Sequence, residues 1–169
     1  MAIGPAFNLK GWIEEHRHLL KPPVGNAIVW QDTDLMVMIV GGPNVRRDYH
    51  INPTEEFFYQ LEGDISVKVR ENGRSVNIPI RQGDVLLLPP LVPHSPQRPA
   101  NTIGMVVERR RPEGQNDHIR WYCEKCGEIV HDAQFHLTNL ATQIKPVIEE
   151  FFSSEELRKC SKCGTIMQA

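Results

Sequence analysis

Leu9, Trp12, Ile13, His16, Leu19 and Leu20 recur at the spacing of one helical face. Asn8 stands where its side-chain oxygen accepts from backbone N–H groups left free in a first turn, so a helix is expected to start there. Lys21-Pro22-Pro23 ends it, because proline has no N–H to donate and restrains the residue before it. From Ile28 the period changes. Short runs rich in Val, Ile and Leu fall at 28–30, 35–40, 56–61, 65–70, 75–80, 85–88 and 103–108. Between them lie Gly41-Gly42-Pro43, Glu62-Gly63-Asp64, Asn72-Gly73 and Gln82-Gly83-Asp84. Short runs punctuated in this way predict an antiparallel sandwich or barrel. Asn72-Gly73 is the clearest hairpin signal, since both residues tolerate positive φ. Arg109-Arg110-Arg111-Pro112-Glu113-Gly114 reads as a solvated strand exit and linker. Beyond it, Pro146 suits the first turn of a helix through Phe152, and Ser153 with Glu156 has capping-box spacing for another short turn. The expected organisation is an N-terminal helix and arm over residues 1–27, a barrel over 28–112 and a C-terminal extension over 113–169.

Composition narrows the functional classes. The chain has 169 residues, 40% of them hydrophobic, with 19 Lys+Arg against 21 Asp+Glu. A net charge of -2 provides no polybasic surface, which argues against nucleic acid or an anionic membrane as main partner. No apolar run reaches the roughly 20 residues of a membrane helix, and the first residues lack a basic-then-apolar leader. A soluble, cytoplasmic protein is expected. The four cysteines fall as Cys123-x-x-Cys126 and Cys160-x-x-Cys163. Paired CxxC motifs in such a chain read as four thiolates around one metal rather than as disulfides.

A second constellation lies in the barrel region. If the stretch before His50 is extended, Arg46, Asp48 and His50 share one face, and Glu56, Phe58 and Gln60 form another such set. The segments Gly42–Gly63 and Gly83–Arg98 together resemble the two cupin motifs. The resemblance implies a double-stranded β-helix barrel (a jelly roll) holding a metal inside. The spacing to Gly63 selects Glu56 rather than Glu55, and neighbouring residues of a strand cannot both face inward. This sequence departs from the motifs at Asp48, which replaces the first histidine, at Leu91, which replaces a glycine, and at Arg98, which replaces an asparagine. His50, Glu56 and His94 remain, two imidazoles and a carboxylate. Such a set leaves coordination positions open and is characteristic of non-haem Fe(II) oxygenases. Asp48 is expected to support a neighbour rather than to ligate. His16, His18, His118, His131 and His136 are expected to be structural.

Arg46 and Arg98 add fixed positive charge near the triad, and Glu108, at the inward end of its strand, returns one negative charge. The excess favours an anionic substrate, with the planar Arg fork suited to a carboxylate. Leu19–Asn26, Val40–Asn44, Asp48-Tyr49-His50, Glu55–Gln60, Leu87–Pro90 and His94–Pro99 are similar to the 3-hydroxyanthranilate 3,4-dioxygenase family. The paired CxxC tail is similar to the bacterial type of that family. The resemblance spans essentially the whole chain. It implies extradiol-type cleavage of 3-hydroxyanthranilate by O2 to 2-amino-3-carboxymuconate semialdehyde, which closes without an enzyme to quinolinate, a precursor in NAD biosynthesis from tryptophan. It further implies catalytic Fe(II) on His50, Glu56 and His94, with Arg46 beside the oxygen site. Arg98 is expected on the substrate carboxylate and Glu108 on the polar ring substituents. The implied partners are the small-molecule substrate, O2 and a second copy of the chain in a homodimer. Cys123, Cys126, Cys160 and Cys163 are expected to hold a structural iron or zinc. Rival readings are another cupin dioxygenase acting on an aromatic or thiol substrate, a zinc or manganese sugar isomerase or epimerase, and a non-enzymatic sensor. Oxygen uptake with 3-hydroxyanthranilate and ferrous iron separates them.

Overall fold

A computed structural model describes residues 4–21, 25–30, 33–44 and 46–169. The expected helix forms as α1 (Leu9–His16), and Asn8 caps it by accepting from the Gly11 N–H at 2.9 Å. A 3₁₀ turn, Arg17–Leu20, follows. Pro22 and Pro23, the expected terminators, lie outside the described residues. Ile13 and Leu20 bury themselves against Ala27, Ile39 and Ile103, so the helix packs on the outside of a sheet.

The strands are β1 (Asn26–Trp30), β2 (Leu35–Gly41), β3 (Tyr49–Ile51), β4 (Glu56–Glu62), β5 (Ile65–Glu71), β6 (Arg74–Ile80), β7 (Val85–Leu88), β8 (His94–Gln97), β9 (Ile103–Arg109), β10 (Asp117–Tyr122) and β11 (Ile129–Phe135). They form two antiparallel sheets, ordered β1-β2-β9-β4-β7 and β11-β10-β3-β8-β5-β6. This is the expected mainly-β, two-sheet barrel. Met38, Phe58, Val106 and Leu88 from the first sheet meet Ile65, Val67, Val69 and Ile80 from the second. Strand alternation places each of these on an inner face. The β5–β6 hairpin turns at Asn72 (φ 50°) and Gly73 (φ 76°), the positive angles that a two-residue turn needs.

Several expectations change. β3, β8, β10 and β11 were not anticipated as strands. β10 pairs with β3, so the second sheet continues past residue 112 into the expected extension. A helix α2 begins at Leu140, not at Pro146, and runs to Ser153 with Pro146 inside it. Its start is fixed earlier, because Gln143 Oε1 accepts from the N–H groups of Thr138 and Asn139, both at 2.7 Å. Proline therefore falls past the first turn and removes one interior hydrogen bond. The cap of α3 (Glu155–Arg158) is Ser154, which accepts from the Leu157 N–H, whereas Ser153 donates its hydroxyl back to the Glu150 carbonyl. α2 docks on β10 by stacking Phe151 on Trp121, with ring centroids 4.0 Å apart.

Candidate metal centre

β3 and β8 pair directly at His50↔His94, which sets the two imidazoles side by side on the inner face of the second sheet. Their ring centroids are 5.2 Å apart. Glu56 approaches from the opposing sheet, where its register neighbours are Leu88 and Glu108. Its Oε2 lies 3.1 Å from His94 Nε2. One ligand atom from each of the three residues lies within 4.8 Å of the others, and all three are buried. Sheet pairing thus brings together groups distant in sequence.

Each ligand atom is aimed by a neighbour. His94 Nδ1 donates to the Val92 carbonyl at 3.0 Å, which leaves Nε2 with its lone pair facing inward. His50 Nε2 lies 2.6 Å from Asp117 Oδ2, and a carboxylate can only accept, so Nδ1 is the free nitrogen. Asp117 is fully buried and also takes two bonds from Arg111, both at 2.6 Å. Burial works against its charge, but the bonds from His50 and Arg111 hold its carboxyl below the ordinary range. Burial keeps the His50 imidazole neutral by lowering its pKa. Burial likewise opposes ionisation of Glu56, yet His94 outweighs it and holds the carboxyl at about 2, while burial works against the charge of His94 and Glu56 raises its pKa in turn. Two imidazole nitrogens and one carboxylate oxygen converging on one point match the donors that a divalent metal takes. The residues fit such a group.

Asp48 is buried and ion-paired to the Arg46 guanidinium, and it is not part of the His50, Glu56 and His94 cluster. Arg98 is buried, donates to Gln60 Oε1 at 3.3 Å, and has no carboxylate partner among the described residues. Desolvation pushes its pKa down to about 10, which still leaves it charged at neutral pH. Gly104 makes room for it; a Cβ there would stand 2.9 Å from Arg98 Nη1 and 2.7 Å from Gln60 Oε1. Glu108 faces inward as expected, and burial followed by the charge of Glu56 pushes its pKa up to about 8 against the pull of Arg111. Its Oε2 accepts from Asn52 at 2.7 Å and from Arg111 at 3.0 Å, while its buried Oε1 has no partner. A cavity of about 120 Å³ opens on His50, Glu56 and His94, walled by Met38, Val40, Phe58, Val106 and Ile144, with Arg46 and Arg98 on its border; Glu108 lies behind Glu56 and is not part of this lining.

Arg111, Asp117 and Asn52 were not anticipated. Arg111 is a correction: grouped with its neighbours as a solvated strand end, it is buried between Glu108 and Asp117. Arg109 and Arg110 are exposed as expected. His118 pairs with Asp132 and His16 stacks on Trp12, both structural placements.

The cysteines gather in two matching knuckles. Gly127 N–H donates to the Cys123 carbonyl and Gly164 N–H to that of Cys160, at 2.8 and 2.9 Å, with both glycines at positive φ. Sulfur–sulfur distances are 3.6 Å for Cys123–Cys163 and for Cys126–Cys160. This is far from the roughly 2 Å of a disulfide. It is close to the ~3.8 Å edge of a tetrahedron with ~2.3 Å metal–sulfur bonds.

A two-sheet barrel with an inward His-His-Glu cluster defines a metal-binding, cupin-type protein. The family model for 3-hydroxyanthranilic acid dioxygenase matches residues 1–152, and the chain belongs to that family. It is 54% identical over 167 residues to 3-hydroxyanthranilate 3,4-dioxygenase of Jannaschia sp., covering 98% of this chain and 93% of that one. The enzyme of the same name from Ruegeria pomeroyi gives the same identity and coverage. That from Pyricularia oryzae is 54% identical over 168 residues, covering 97% and 91%. Among solved structures, a cupin-2 domain protein from Shewanella frigidimarina aligns over 58% of this chain and 92% of its own, at 21% identity and a TM-score of 0.47. Among the described residues no helix is long and apolar enough to cross a membrane.

Proposed function

We propose that the chain catalyses ring-opening dioxygenation of 3-hydroxyanthranilate, with His50, Glu56 and His94 holding a ferrous ion. The observation that carries the substrate reading is Arg98: a buried guanidinium with no ion-pair partner among the described residues, on the border of the cavity that opens on the triad. Burying an unpaired charge is costly, and a ligand carboxylate removes that cost.

Bound there, ferrous iron supplies the redox centre that brings an aminophenol and O2 together. The protein groups do the rest. Arg98 takes the ring carboxylate and fixes the orientation of the ring. The unpartnered Oε1 of Glu108 accepts from the neighbouring hydroxyl or amino group, and its raised pKa makes it a competent proton acceptor near neutrality. Arg46, steadied by Asp48, offers a fixed donor where negative charge grows on oxygen. Phe58, Met38 and Val106 exclude water from the ring. Both oxygen atoms enter the product, so no external reductant is consumed.

We further infer that the four thiolates hold a structural iron or zinc, and that the protein acts as a homodimer in the cytoplasm. The register row Val37–Val107–Phe57–Leu87 on the outer face of the first sheet supports the dimer, since Leu87 is 60% exposed there. A second copy covers that apolar face.

Oxygen uptake with 3-hydroxyanthranilate and ferrous iron tests the activity; its absence in iron-loaded protein overturns the reading. Arg98→Ala removes a charge-assisted bond of about 1.5–3 kcal/mol, so KM is expected to rise roughly 10- to 150-fold with the metal retained. An unchanged KM overturns the carboxylate assignment.

A further inference from the structure

Along β4 the side chains of Glu56, Phe58 and Gln60 point to one inner face, and all three are buried. Glu56 belongs to the His-His-Glu cluster and Phe58 walls the cavity. Gln60 is the third, a polar side chain 1% exposed in a barrel lined with hydrophobic residues.

Both ends of its amide are assigned by what they face. Nε2 donates to the Glu62 carbonyl at 2.9 Å, a group that can only accept. Oε1 accepts from Arg98 Nη1 at 3.3 Å, and a guanidinium can only donate. The amide therefore cannot turn over without losing both bonds. Gly104 stands opposite Gln60 in the β4–β9 register and leaves the space in which the contact forms.

The main chain of Arg98 is held separately, by Asn44. The Asn44 side-chain oxygen accepts from the Arg98 N–H at 2.8 Å, and the Asn44 N–H donates to the Arg98 carbonyl at 3.0 Å. The charge of the head group is treated differently from its position. Glu56 attracts it but belongs to the metal cluster, and Arg46, already paired to Asp48, repels it. An amide oxygen satisfies one N–H and leaves the net charge of the guanidinium in place. A carboxylate at position 60 would make a bond roughly twice as strong and occupy the fork that a ligand needs.

We propose that Gln60 is the positioning residue for Arg98 and that its neutrality sets the preference for a carboxylate-bearing ring. The amide aims the guanidinium at the cavity without neutralising it. This inference rests on Arg98 as the group that takes the substrate carboxylate.

Anaerobic titration calorimetry of 3-hydroxyanthranilate into iron-loaded protein reads binding apart from turnover. Gln60→Glu keeps the shape of the side chain and, beside a guanidinium, is ionised. It is expected to raise Kd more than about tenfold, the scale of a charge-assisted bond. Gln60→Met removes the acceptor without adding charge, and a smaller rise of about two- to tenfold is expected. In an Arg98→Ala background Gln60→Met is expected to change Kd by less than about twofold, because no guanidinium remains to be aimed. A merely structural residue would have the same effect in both backgrounds. Iron content and melting temperature accompany each measurement. Gln60→Glu binding no more weakly than Gln60→Met overturns the proposal. Should Gln60→Glu fail to fold, the two Gln60→Met measurements decide alone, and equal factors overturn it. Arg98→Ala separates the two levels. An unchanged Kd there sinks the carboxylate role itself, whereas a raised Kd with an additive Gln60→Met effect sinks only the role of Gln60.

Discussion

His50, Glu56 and His94 come from three strands in two sheets, whereas the four cysteines come from two copies of one short turn. The first cluster has three donors, and beside it two buried polar groups lack a full set of partners among the described residues, the Arg98 guanidinium, which has no ion pair, and Glu108 Oε1, which has no hydrogen bond. The second has four donors, enough to close a tetrahedral shell. One arrangement keeps room for a reactant and surrounds it with unsatisfied groups. The other has donors enough to satisfy a metal by itself, in keeping with the structural role proposed for it. A metal cluster's chemistry is therefore read from what its surroundings lack as much as from its ligands.

The sharpest way to break that comparison is to delete a donor from each. His94→Ala is expected to empty the barrel cluster and lower turnover by more than about 100-fold, since even losing a ligand's supporting partner costs about 10- to 100-fold. Metal analysis and oxygen uptake check it together, and an active, metal-loaded variant refutes the triad. Cys160→Ser should act oppositely. Its melting temperature is expected to fall by roughly 10 °C, a few kcal/mol at this chain length, while turnover per folded molecule and the barrel metal persist. Selective loss of turnover in folded protein would erase the distinction between the two clusters.

Asp117→Asn sharpens it further. The carboxylate that fixes the His50 ring disappears and Arg111 loses one of its two carboxylate partners, so metal affinity or turnover should fall by about 10- to 100-fold. An effect on melting alone would make Asp117 purely architectural. The smallest effect lies outside both clusters, at Asp132. Its burial raises the carboxyl pKa, but the bonds from Arg120 and His118 outweigh it and hold it below its usual value. A depressed folded-state pKa gives stability that is complete above the unfolded pKa of about 4 and is lost as pH falls through the folded one. Urea unfolding of Asp132→Asn should therefore be flatter on the acid side, by under ~1 kcal/mol for such a partly exposed pair.

The legibility of the sequence follows the same divide. β2, β4, β5 and β9 are apolar runs that must bury one face, and their positions were readable to within a residue or two. β8 reads His-Ser-Pro-Gln, and its proline and polar residues hide a strand that exists to carry a ligand. β3 is three residues long and equally opaque. His50, Glu56 and His94 were found because motif spacing surrounds them. Asp117 and Arg111 carry no spacing signal, and only the β10–β3 pairing brings them to His50. The signal available was their charge beside a strand that alternates, Asp117-His118-Ile119-Arg120-Trp121-Tyr122.

That pairing bears on how the molecule can be divided. Ile119 sits opposite His50, two residues from the aspartate that steadies the imidazole. Trimming the polypeptide at residue 112 to obtain a minimal oxidation vessel would remove a stave of that vessel along with the brace behind its inward-facing ring. What looks like a tail is part of the crucible.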